Sequence, residues 1–102
     1  MIDAGRRVLV SLALDAAAQR RAALLAGFVP STGAEPDVQS ADVGPGRRET
    51  LSFTPDTRGL LQIRVRMASE SDVGTLVVEV DGVREHEARI SGTTTLTFAV
   101  VS

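Results

Sequence analysis

His86 is the only histidine among the 102 residues, so any catalytic triad, histidine metal site or imidazole base would have to be built around it. Glu85 and Glu87 flank it, and on a strand both point to the face opposite His86. The residue types suit acid–base chemistry but the spacing does not, and a surface position on an edge strand is the better account. The chain contains no GxGxxG, GxxxxGK[ST], GxSxG or HExxH motif. No catalytic residue, cofactor or metal is therefore assigned, and a non-enzymatic protein is expected.

Acidic residues gather weakly at Glu70-Ser-Asp72, with Asp56 and Asp81 in other turns. Calcium needs several oxygen ligands converging from loops, which makes a calcium- or ligand-binding accessory module the alternative reading. The spacing matches no calcium loop, and Asp and Ser favour turns for backbone reasons alone. Basic residues fall at Arg20-Arg21, at Arg47-Arg48 and in the group Arg58, Arg64, Arg66. Arg64 and Arg66 lie two apart on a strand and so share a face, a small positive patch suited to carboxylates on a protein partner.

A net charge of −2 gives no general attraction for nucleic acid or anionic lipid. With three Phe and neither Trp nor Tyr, stacking platforms for bases or sugars are lacking. Nucleic acid is thus not an expected partner. The absence of Cys removes disulfides and thiolate sites and leaves the compartment open. At 43% hydrophobic and 24% charged, the chain has the composition of one small folded domain with an aliphatic core.

The elements that would position these residues are clearest in the C-terminal half. Leu51 and Phe53 alternate with Ser52 and Thr54. Leu61, Ile63, Val65 and Met67 alternate with Gln62, Arg64 and Arg66. Leu76, Val78 and Val80 lead into Asp81-Gly82, the usual chemistry of a two-residue type I′ hairpin. That turn predicts Val80 opposite Val83, Glu79 opposite Arg84 in a cross-strand charge pair, and Val77 opposite His86. The charged run 83–90 reads as an edge strand. Leu96, Phe98 and Val100, set against Thr95, Thr97, Ala99 and Val101, complete about five strands over residues 49–101, a small antiparallel β-sandwich or open barrel.

Residues 3–26 read as one N-terminal helix, capped by Asp3, rich in Ala, and followed by Gly27 and Pro30. A competing reading makes 7–14 a strand and starts a short helix at Asp15. Gly5-Arg-Arg7 and the following apolar run imitate a signal peptide, but Asp15 interrupts it and the segment is expected to be retained. The run is also shorter than the ~20 residues of a membrane span. Residues 29–48 hold three of the four prolines and three glycines, and read as an extended linker. The expected organisation is a helix in 1–28, a linker in 29–48 and a β module in 49–102.

Placed on a helical wheel, Val8, Leu9, Val10, Leu12 and Leu14 occupy nearly every side. Such a helix either packs wholly on its own β module or also docks onto a second subunit. The expected function is a structural or interaction protein, a subunit of a homo- or hetero-oligomeric assembly. Its partner-binding residues would be Val8, Leu9, Leu12, Leu14, Leu24 and Leu25 of the helix together with Arg64 and Arg66.

Overall fold

Apolar residues recur at every second position from Val8 to Leu14, and the chain there is a strand. The structure, a computed structural model, describes residues 1–98. Its elements are β1 (Val8–Leu14), β2 (Ala22–Pro30), β3 (Asp37–Val43), β4 (Arg48–Phe53), β5 (Gly59–Met67), β6 (Val73–Val80), β7 (Val83–Ser91) and β8 (Thr93–Phe98). They form two four-stranded antiparallel sheets, sheet I in the order β4-β1-β6-β7 and sheet II in the order β3-β2-β5-β8.

The helix over residues 3–26 is therefore replaced by two strands. Val8, Val10, Leu12 and Leu14 are buried, while Leu9, Ser11 and Ala13 between them are half-buried. A run that is apolar on every side of a helix is, at period two, a strand with one fully and one partly buried face. Of the two readings of 7–14, the strand is the correct one, although no helix follows it. Asp15 instead opens a tight turn closed by Ala18 N donating to Asp15 O at 3.0 Å. In β2, Ala22, Leu24, Ala26 and Phe28 face the core although Ala favours helices. Pairing with β3 on one side and β5 on the other overrides that local preference.

The linker over 29–48 also contains a strand, β3. β3 is an edge, mostly exposed, with only Gln39, Ala41 and Val43 turned inward. It is held by its ladder to β2, with Leu24 opposite Ala41 and Gly27 opposite Val38, rather than by an apolar stripe. Such a strand leaves little trace in hydrophobic periodicity. Eight strands thus replace about five. Because β1 separates β4 from β6 and β2 separates β3 from β5, neither sheet can be assembled from the C-terminal half alone.

The core is aliphatic, built around Leu12, Leu24, Leu61, Ile63 and Leu76 with Phe28 and Phe53. Ile2 closes one end, fully buried and joined to Gly59 by reciprocal backbone bonds of 2.8 and 3.0 Å. The Asp-Gly turn is present, with Asp81 at φ 51° and Gly82 at φ 82°. Val80 faces Val83 and Glu79 faces Arg84 as expected, but a bulge follows and His86 stands opposite Val78 instead of Val77. Glu85 is the extra residue, and the bulge changes the phase of the strand beyond it. Arg84 bonds Glu87 at 2.9 Å in place of the expected pair with Glu79. Ala99, Val100 and Val101, assigned to the last strand from sequence, lie outside the described residues. No helix among the described residues is long and apolar enough to cross a membrane.

Candidate functional site

The outer faces of the two sheets differ in how their polar groups are employed. On sheet I, Ser11 Oγ and Thr50 Oγ1 bond at 3.1 Å. Arg89 donates to Thr75 Oγ1 at 3.0 Å and forks onto the Asp15 carboxylate at 3.2 and 2.8 Å. The hydrogen bonds from Asp15, reinforced by its charge, hold the Arg89 guanidinium more firmly protonated than usual. These side chains of sheet I are thus engaged with one another or with the β1–β2 turn, although among the described residues Arg48 and Glu79 on the same face make no such bond.

Sheet II differs. Its outer face is ruled into rows by the strand register: Asp42, Ala23, Arg66 and Thr93 in one, Ser40, Leu25, Arg64 and Thr95 in the next, Val38, Gly27, Gln62 and Thr97 in a third. Among the described residues none of these side chains makes a hydrogen bond or ion pair. Arg64 and Arg66 are exposed and lie about 6.6 Å apart along β5. Beside them Leu25 is 38% and Val38 59% exposed, two of the few large apolar side chains left open to solvent. Ala23 and Gly27 are short, so a trough runs over β2 between the taller side chains of β3 and β5. It consists of two open concavities of about 590 and 230 Å³ that meet at Leu25, Arg64 and Thr95.

Of the residues expected to bind a partner, the structure brings together three: Arg64 stands directly opposite Leu25, and Arg66 follows it on the same face. Val8, Leu12, Leu14 and Leu24 are core residues with no more than 3% exposure and present no surface to a partner. Leu9 is half-buried on the outer face of sheet I. The neighbours that complete the trough, Ala23, Gly27 and Val38, were hidden by the helix and linker assignments. The i, i+2 spacing of Ala23, Leu25 and Gly27 was the available signal.

The acidic candidates are dispersed. Val8 faces both Phe53 and Val80, whereas Leu14 faces Gly74, which puts Asp56 and Asp81 at one end of the sandwich and Asp72 at the other. Asp72 is only 4% exposed and accepts from Gln19 N at 3.0 Å and Arg20 N at 3.1 Å, tying down the β1–β2 loop. Asp81 accepts from Arg7 N at 2.9 Å and Arg6 Nη1 at 2.8 Å. The Arg7 amide, followed by the Arg6 side chain, holds the Asp81 carboxyl below the ordinary aspartate range. Among the described residues no three His, Asp or Glu side chains are grouped to hold a metal ion. His86, half-buried on β7, faces the same side as the core residue Val78.

No known protein family, curated protein or solved structure matches this chain. Its function therefore has to be read from its own surface, and the outer face of sheet II is the place where exposed apolar area, free guanidinium groups and a concavity coincide.

Proposed function

We propose that this protein is a non-enzymatic interaction module that binds an extended, acidic segment of a protein partner along the outer face of sheet II. One observation supports the reading: Arg64 and Arg66 stand side by side next to exposed Leu25, and neither forms an ion pair among the described residues, although Asp42 shares the row of Arg66. Elsewhere Arg6, Arg58, Arg84 and Arg89 are paired with Asp81, Asp3, Glu87 and Asp15, whereas Arg7, Arg20, Arg21, Arg47 and Arg48 form no ion pair among the described residues but lie away from exposed Leu25 and Val38. Two guanidinium groups on one strand face offer planar forks to two carboxylates spaced like alternate residues of an extended peptide. Apolar contact with Leu25 and Val38 supplies the area that charge alone does not.

Panning a displayed random-peptide library against the immobilised protein tests this. Wild type is expected to enrich sequences with two acidic residues at alternate positions beside an apolar one. The charge-reversed R64E/R66E protein loses them. Absence of enrichment on wild type, or enrichment indifferent to the reversal, sinks the proposal.

A further inference from the structure

Sheets end in edges, and three of the four edges here carry the features that discourage pairing with another chain. β7 has Arg84, Glu85, Glu87 and Arg89 and a bulge. β4 begins with Arg48-Glu49, and β3 contains Asp37 and Asp42. Those last two edges also shelter each other, with Gln39 Nε2 donating across the sandwich to Ser52 O at 2.7 Å. β8 is different. Thr93-Thr-Thr-Leu-Thr-Phe98 has no charge, no proline, no glycine and no bulge, and it is rich in β-formers. Among the described residues it packs extensively only on β5.

The backbone groups on its free side can be named. Met67 N donates to Gly92 O at 3.1 Å, which makes Met67 and Gly92 a hydrogen-bonded pair of the antiparallel ladder. Such pairs alternate, so Thr94, Leu96 and Phe98 bond to β5 while Thr93, Thr95 and Thr97 direct their N–H and C=O groups away from it. An edge of this kind is a template for one more strand.

We propose that the added strand is β8 of a second copy of this chain, paired antiparallel about a two-fold axis at Thr95. In that register Thr95 meets Thr95 of the second copy and Thr93 meets Thr97. Each outward N–H then finds an outward C=O, which no offset by one residue allows. Thr94 comes opposite Leu96 of the second copy and covers a side chain now only half-buried. Every pair is neutral, so self-pairing brings no like charges together, in contrast to the charged edge of β7. Sheet II becomes one eight-stranded sheet with both outer faces on the same side. A six-residue strand pair is small against the roughly 1,600 Å² of a standard interface, so the dimer is a weak one that assembles with concentration.

Sedimentation velocity over a concentration series reads it directly. The weight-average sedimentation coefficient of wild type rises from the monomer value towards that of a dimer. Amide exchange at Thr93, Thr95 and Thr97 slows in parallel. Thr95→Pro removes an N–H that β5 does not use, and Thr95→Lys sets two like charges face to face on the axis. Both are expected to stay monomeric throughout, and if the proline variant does not fold, the lysine variant decides alone. R64E/R66E, which disables the acidic-peptide face, keeps the dimer. A wild-type chain that remains a monomer up to ~1 mM, where association is worth only ~4 kcal/mol, overturns the proposal. So does a dimer that Thr95→Lys leaves intact, or one that R64E/R66E abolishes, since the contact would then lie on the face and not at the edge.

Discussion

A Cβ atom on Gly59 would lie 2.7 Å from Cζ of Phe28, and closer still to the carbonyl oxygen of Val29. The φ angle of Gly59 is not in the left-handed region, so the requirement is one of space alone. Gly59 is buried where β5 starts, with Pro30 of β2 on one side and Ile2 on the other. Gly59→Ala must push either the Phe28 ring or the β2 backbone aside. A loss of about 1–3 kcal/mol is expected in equilibrium urea unfolding. Gly27→Ala is the contrast, since its Cβ would meet Val38 Cγ2 at an ordinary 3.6 Å. A Gly59→Ala protein with an unchanged midpoint would mean that this approach is looser than described.

Adjacent leucines in β2 report which periodicity the segment obeys. Leu24 is fully buried and Leu25 is 38% exposed. Leu24→Ala is expected to cost about 2–5 kcal/mol, and Leu25→Ala to stay within ~0.5 kcal/mol. Thermal or urea unfolding of the two variants measures the difference. Equal losses would contradict a strand with one face in the core.

The Asp81 turn makes stability depend on pH in a defined direction. Its carboxyl pKa is lowered in the folded state by the Arg7 amide first and the Arg6 guanidinium second. A depressed acid stabilises the fold above its unfolded pKa, and that contribution disappears as pH falls through the folded value. Asn at this position tolerates the positive φ while removing the charge. Urea midpoints of wild type should therefore exceed those of Asp81→Asn at neutral pH, and the gap should close on acidification below the ordinary aspartate range. A constant gap across that window would show that the charge contributes nothing.

The strands that announce themselves in the sequence are those with one dry and one wet face. β5, with Leu61 to Met67 set against Gln62 to Arg66, and β6 with the Asp81-Gly82 turn are legible because alternation and turn chemistry are local properties. The edge character of β7 is equally local, being written in Arg84, Glu85, Glu87 and Arg89. The shared face of Arg64 and Arg66 follows from their spacing alone.

Tertiary structure decided the rest. Ala22–Pro30 is a central strand because β3 and β5 lie on either side of it, and no property of an Ala-rich segment records neighbours so distant in the chain. β3 is a strand because β2 offers it hydrogen bonds, although its own side chains bury little. The capture of the Gln19 and Arg20 amides by Asp72 and the meeting of Leu25 with Arg64 depend on register between segments tens of residues apart, while the bulge at Glu85 is set within the β6–β7 ladder itself. Patterning determines which side chains of a strand can be dry. Which segments pair, and hence which exposed residues share a face, is determined by the long-range backbone ladders that only the folded chain contains.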